Sequence, residues 1–190
     1  MKNINILICG VGGQGILLAG ELLGDVALRS GYDVKKSEIH GMAQRGGSVV
    51  SHIRFGEKIY SPIIKKGDAD FIFSFERMET LRYLNYLKPD GAIIVNNQKI
   101  SPTNISIKSS SYPEDIESIC KTKCKTFKSV DAISIAEQIG NIKTTNTVMI
   151  GVLSSFLDFD LKLWDETFHK LIPKKHLDIN IKAFNMGRQL

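Results

Sequence analysis

The chain is poor in the residues that staple small folds or build metal sites. Its 190 residues hold three cysteines and four histidines. An odd number of thiols gives no disulfide framework and fits a reducing, cytoplasmic setting. Cys120 and Cys124 stand four apart on an expected helix, with Cys9 on a distant strand. Iron–sulfur and zinc sites draw on about four ligands in tight loop spacings, so no metal site is expected here. No apolar run approaches the ~20 residues that a membrane span needs. The longest are Ile4–Ile8 and Val148–Leu153. Met1-Lys2-Asn3 enters the first of these directly, without the apolar region and cleavage site of a secretory signal, and no membrane partner is expected. Charge is not clustered either. The net charge is +5, with 13 Lys and Arg against 10 Asp and Glu in residues 1–100, and 12 against 10 in residues 101–190. Nucleic-acid binders gather their positive charge, so a nucleic-acid partner is not expected, while a basic pocket for a small anion stays open. Gly-x-Ser-x-Gly, Walker A and His-Glu-x-x-His patterns are missing as well, and no residue is assigned a catalytic role.

What is present is ordinary globular composition, 43% hydrophobic and 24% charged. A chain of this length buries about 70% of the surface its unfolded form exposes, enough for one domain over residues 1–190. Ile4–Cys9 reads as a strand buried on both faces. Residues 16–30 carry apolar positions at Ile16, Ala19, Leu23 and Val26, a helical spacing. Strands are expected at Asp33–Ser37, Val49–Phe55, Phe71–Phe75 and Ala92–Val95. A hairpin turn at Gly56–Lys58 is expected to return Ile59–Ile64 as an antiparallel neighbour. Helices are expected at Arg77–Leu87, from Pro113 to about Cys124, at Val130–Ile139, at Thr147–Phe156 capped by Asn146, at Leu161–Leu171 and at Lys174–Arg188. Lys88–Gly91 reads as a turn and Ile105–Lys108 as a weak strand. Alternating strands and helices imply an α/β fold. The expected form is a three-layer α/β/α arrangement around a mixed, mostly parallel sheet, with a C-terminal helical segment.

Two glycine-rich loops carry the chemical signal. Gly10-x-Gly12-x-x-Gly15 lies between a strand and a helix, where glycines allow close backbone approach and the helix N-terminus offers N–H groups to an anion. Glu38, 23 positions after Gly15, stands where a ribose-binding acid would in a dinucleotide site. A stand-alone NAD(P)- or flavin-dependent oxidoreductase therefore stays open, as does a purely packing role for the glycines. The second loop, Gly41–Ser48, supplies three glycines, Arg45 with its forked donors, and the Ser48 hydroxyl. His40 beside it has no acid or nucleophile to pair with and reads as structural. Gly67-Asp68-Ala69 followed by Asn96-Asn97 imitates a thiamine diphosphate–magnesium motif, but lacks its last glycine and precedes a strand instead of following one.

The wording of these loops resembles a known family. Ile6–Ala19, with Gln14 inside the glycine loop, is similar to the opening of the gamma-type subunit of 2-oxoacid:ferredoxin oxidoreductases. Gly41–Val49 resembles the second signature of that subunit, in the form it takes in the indolepyruvate-type enzymes, where the chain is called beta. Asp70–Glu76, Asn146–Leu153 and Asn180–Gly187 resemble later segments. The resemblance implies a small subunit supporting oxidative decarboxylation of an arylpyruvate to an aryl-acetyl-CoA with reduction of ferredoxin. It implies that thiamine diphosphate, magnesium and the 4Fe-4S clusters belong to a larger partner subunit, with coenzyme A as co-substrate. It carries over two loops as binding elements, Gly12, Gly13, Gln14 and Gly15, and Gln44, Arg45, Gly46, Gly47 and Ser48. It assigns nothing to residues 101–128.

Overall fold

A computed structural model describes residues 3–40, 46–100 and 112–190. Its centre is a six-stranded sheet in the order β2-β3-β1-β4-β5-β6. The strands are β1 (Ile4–Val11), β2 (Asp33–His40), β3 (Ser48–Gly56), β4 (Ala69–Ser74), β5 (Leu87–Asn96) and β6 (Thr126–Val130). β1, β4, β5 and β6 run parallel, while β3 is antiparallel to both β1 and β2. The sheet is mixed and mostly parallel, as the strand–helix alternation implies.

Alternation along β1 shows why the sheet is covered on both sides. Ile6 and Ile8 join one buried cluster and Leu7 and Cys9 the other, all four without exposed surface. A strand with both faces dry reads as an unbroken apolar run. The first cluster is closed by α1 (Ile16–Arg29), α4 (Ala132–Ile139), α5 (Thr145–Ser154), α6 (Leu161–Leu171) and α7 (Lys174–Arg188). The second is closed by α2 (Arg77–Tyr83) and α3 (Ile116–Lys121). α5 is buried from Asn146 to Ser154, which fits a helix that is apolar all round. α6 and α7 have the expected bounds. The Asp160 carboxylate accepts the Lys162 N–H at 2.9 Å to start α6, and Pro173 stands between the two helices.

Several expectations fail for local reasons. Ile59–Ile64 is not a strand. β3 already has β1 on one side and β2 on the other, so no edge is left for a hairpin partner. Side chains satisfy the backbone of that segment instead. Asp33 accepts from Ile59 N (2.9 Å), the Arg54 guanidinium donates to the carbonyls of Ser61 and Ile63 (2.9 and 3.2 Å), and His52 Nδ1 accepts from Ile64 N (3.2 Å). The antiparallel part of the sheet comes from β2 and β3. Lys88–Gly91 is not a free turn but lies within β5, where the register with β4 slips between Ala69 and Phe71. β6 has polar residues on its exposed positions and no apolar alternation to announce it. Its last residue, Val130, was expected in a helix that starts only at Ala132, after the Asp131 cap. α2 and α3 are shorter than their apolar spacing implies. Ile105–Lys108 lies outside the described residues.

Candidate functional site: a pocket at the carboxyl ends of the parallel strands

After β1 the chain passes to the face that α1 covers, and after β4 to the face that α2 covers. The gap between the carboxyl ends of two such strands is where open α/β sheets hold ligands. A cavity of about 410 Å³ lies there, lined by the β1–α1 loop (Gly13–Gly15), Phe75 after β4, Asn96 and Gln98 at the end of β5, and Ile142, Lys143, Thr145 and Asn146 ahead of and within α5.

The first loop forms one wall. Gly13 and Gly15 have φ of +102° and +80°, the left-handed region that favours glycine. Nothing lies within 4 Å of a Cβ built on Gly13, so that position is open, whereas a Cβ on Gly15 would stand 2.5 Å from Asn146 Nδ2. α1 starts after Gly15 with no side-chain cap and no acidic residue in its first turn. That uncapped start adjoins the pocket at Gly15, so its positive dipole end is close to whatever the pocket holds. Among the described residues Lys143 is the one charged residue lining the cavity. It is held in a 3-10 turn (Ile142–Thr144) whose start is fixed by Asn141 Oδ1 accepting from Lys143 N at 3.0 Å. Asn146 is 6% exposed, and among the described residues its Nδ2 donates to no acceptor. Among the described residues the lining offers polar donors and one ammonium, and no carboxylate or imidazole. Such a set suits an anion.

Gln14 plays a different part from its neighbours. Its Oε1 accepts from Val11 N (2.7 Å), and its Nε2 donates to Phe75 O (2.9 Å) and to Gln98 Oε1 (2.8 Å). The amide ties together the ends of β1, β4 and β5 and so shapes the pocket. Gly10 is small for the same reason, since a Cβ there would lie 2.6 Å from Gln14 Oε1.

The two loops meet. Gly12 N donates to Gly47 O at 2.9 Å. Gly46 is left-handed at φ +77°. Gln44 and Arg45 lie outside the described residues. Ser48 opens β3 opposite Val11, and its hydroxyl donates to the carboxylate of Glu79, with Tyr83 Oη at 3.2 Å. Glu79 is 5% exposed, and its carboxylate also receives Arg82 Nε at 3.1 Å. Burial pushes the Tyr83 phenol up, partly offset by the Ser48 hydrogen bond. Ser48 thus anchors β3 to α2 and is not presented to an anion as its position in the loop implied.

Other sequence signals fall away on geometry. Glu38 sits on the edge strand β2, with β3 between it and β1, and its carboxylate holds Lys36 at 2.8 Å. A dinucleotide bound at the first loop would not find its ribose acid there. Asp68 precedes the start of β4 and Asn96 ends β5, at opposite ends of parallel strands, so they do not form a thiamine site. Cys9 is fully buried, and burial drives its thiol well above the usual range. Cys120 is pushed up to about 11 by burial. These two are core thiols. Among the described residues no three His, Cys, Asp or Glu side chains come together as metal ligands, and no helix is long and apolar enough to cross a membrane.

Sequence reading missed Lys143 and mistook Asn146, which is not the cap of α5; that position belongs to Thr144. It also passed over Glu76, which is 1% exposed and caps α2 by accepting from Glu79 N at 2.9 Å.

Comparison with known proteins agrees with this architecture. Residues 5–190 match the model of the family described as pyruvate ferredoxin/flavodoxin oxidoreductase. Indolepyruvate oxidoreductase subunit IorB of Thermococcus kodakarensis is 44% identical over 98% of this chain and 95% of its own length. The crystal structure of pyruvate oxidoreductase subunit PORC from Thermotoga maritima superposes with a TM-score of 0.74 at 22% identity, covering 100% of this chain and 97% of that one. The 2-oxoglutarate:ferredoxin oxidoreductase of Magnetococcus marinus, solved with 2-oxoglutarate, coenzyme A and succinyl-CoA bound, contains the same fold. Its TM-score is 0.75 at 18% identity, over 100% of this chain and 31% of that one.

Proposed function

Because the chain belongs to the pyruvate ferredoxin/flavodoxin oxidoreductase family, we propose that it is the small subunit of an indolepyruvate-type 2-oxoacid:ferredoxin oxidoreductase. The observation that carries this reading is the 44% identity, over nearly the full length of both chains, to a subunit named for indolepyruvate. The reaction is oxidative decarboxylation of an arylpyruvate with coenzyme A to an aryl-acetyl-CoA and carbon dioxide, the electrons leaving on ferredoxin. Thiamine diphosphate, its magnesium and the 4Fe-4S clusters are carried by a larger partner subunit, in the cytoplasm. They supply the carbanion chemistry and the electron path. The described part of this chain has no acid/base pair or thiolate to share in bond breaking, and the isolated chain is inactive.

Its own contribution is to hold and orient an anion at the joint between the subunits. The glycine loop that leads into the uncapped start of α1, Asn146 and Lys143 line one pocket. The second loop is tied to the first through Gly12 and Gly47, and from its sequence we assign its Arg45 as a further cation for that anion. The phosphates of coenzyme A suit such a set, because charged acceptors on backbone N–H groups and fixed cations make the stronger class of hydrogen bond. Exposed Leu17 and Ile142 beside the pocket, at 41% and 55%, are surface for the larger subunit to cover.

Arg45→Ala in the assembled enzyme tests the part given to the second loop. The expected result is an apparent KM for coenzyme A or the 2-oxoacid raised by about tenfold, the value of losing one charge-assisted contact of ~1.5 kcal/mol, or a weakened complex on gel filtration. If both KM values and assembly stay as in the wild type, the second loop is not part of the site.

A further inference from the structure

A second and larger concavity lies at the other end of the sheet, against the starting ends of β4, β5 and β6. It has a volume of about 1000 Å³. Leu81, Leu84 and Leu87 form an aliphatic floor, and Arg82, Lys123 and Lys125 stand around it, with Asp90 as the one acid among the described lining residues. Lys65 and Lys66, both exposed, adjoin Gly67 at the lip.

Three distant segments are tied together to make this place. Gly67 N donates to Asn85 O at 3.1 Å, and Lys125 N donates to Gly91 O at 3.0 Å. The positive charge, even when counted along the chain, is therefore gathered by the fold. Among the described residues Lys123 and Lys125 make no ion pair. Arg82 touches Glu79 through Nε but keeps 53% of its side chain exposed. By contrast Lys121, two residues before Lys123, is held by Glu117 at 2.7 Å.

We propose that this groove docks an acidic amphipathic segment of a partner protein, with the segment's aliphatic side chains on the leucine floor and its carboxylates on the rim of Arg82, Lys123 and Lys125. Charge complementarity selects an anionic occupant. The leucine floor and the volume select one with side chains to bury, since a lone phosphate would leave most of the space empty. The hollow shape disfavours a flat anionic membrane. Among the described residues the lining has no aromatic ring on which a nucleic-acid base would stack. An amphipathic helix laying its apolar face into a groove, with charged flanks, fits what remains. The groove lies at the opposite strand ends from the glycine loops, so its occupant and an anion at the first pocket would not compete for space. The inference does not depend on the function proposed above.

The test uses the full chain and a fluorescein-labelled helical peptide of leucine and glutamate in amphipathic order, read by fluorescence anisotropy. Binding should weaken as salt rises, and the double variant Lys123→Glu/Lys125→Glu should lose about tenfold or more in affinity. A peptide with its leucines replaced by serine should bind correspondingly worse. Unchanged thermal melting of the variant would show that the exposed substitutions leave the fold intact. The proposal is overturned if the variant binds the peptide as the wild type does. It is also overturned if the serine peptide, inorganic polyphosphate or a single-stranded oligonucleotide binds as tightly as the leucine peptide.

Discussion

Replacing Lys143 with glutamate is expected to raise the apparent KM for coenzyme A in the assembled enzyme by about tenfold to a hundredfold, with a much smaller change in kcat. The reason is local. Among the described residues Lys143 is the one charged residue lining the pocket at the start of α1, and none of them is an acid that balances it. A hydrogen bond to a charged group is worth ~1.5–3 kcal/mol, and each ~1.4 kcal/mol is tenfold in affinity. The substitution removes that cation and places a carboxylate beside N–H groups that would otherwise meet an anion. Lys143 is exposed and makes no ion pair among the described residues, so folding should be unaffected. Because the contact is exposed, the effect should shrink at high salt, where surface charges are screened over a few ångströms. Steady-state kinetics at two ionic strengths would check both statements. A KM for coenzyme A within twofold of the wild type, together with a raised KM for the 2-oxoacid, would reassign the pocket to the substrate carboxylate.

Gly187→Ala is expected to be the most damaging single methyl addition among the described glycines of α5 and α7. The two helices cross at Gly151 and Gly187. A Cβ on Gly187 would lie 2.0 Å from Val148 O, and one on Gly151 would lie 2.2 Å from Phe184 O. Both obstacles are backbone oxygens, Val148 O in the buried α5 and Phe184 O on the packed face of α7, so the helices themselves must part. Overpacking of this kind costs about 1–3 kcal/mol and occasionally more, against a gain of ~1 kcal/mol in helix propensity. A net loss of about 2 kcal/mol corresponds to a Tm lower by roughly 4–8 °C in a chain of this size. Gly20→Ala in α1 is the control. Its nearest neighbours would stand at 3.5 Å, ordinary contact, so the propensity term should leave that variant as stable as the wild type or more so. Thermal melts followed by circular dichroism would separate the two. A Gly187→Ala variant as stable as the Gly20→Ala variant would mean that α5 and α7 do not pack as described.

The fold was readable in the sequence wherever a short stretch carries its own reason. The apolar run of β1, the glycines after it, the helical spacing of α1 and the Pro173 break before α7 are all local signals. What depended on distant partners was not readable. The satisfaction of Ile59–Ile64 by Asp33, Arg54 and His52 involves residues up to 26 positions away, and no periodicity announces it. β6 is held by pairing with β5 and not by apolar alternation. The site divides in the same way. Gly13 and Gly15 were legible, because left-handed backbone at a strand–helix turn calls for glycine. The role of Gln14 as a tie among three strand ends was not, since two of its three acceptor or donor partners lie 61 and 84 residues away. Lys143 is an ordinary surface lysine until the chain folds it against the first loop, and Asn146 looks like a helix cap until α5 is seen to start before it.

The most direct test of the subunit assignment is reconstitution. This chain and the larger thiamine-carrying subunit are purified separately and assayed alone and mixed for ferredoxin reduction dependent on indolepyruvate and coenzyme A. The expected result is negligible activity from either alone and its appearance on mixing, in proportion to the complex formed. A full rate from the larger subunit alone, or an NAD(P)-dependent oxidation catalysed by this chain alone, would contradict it.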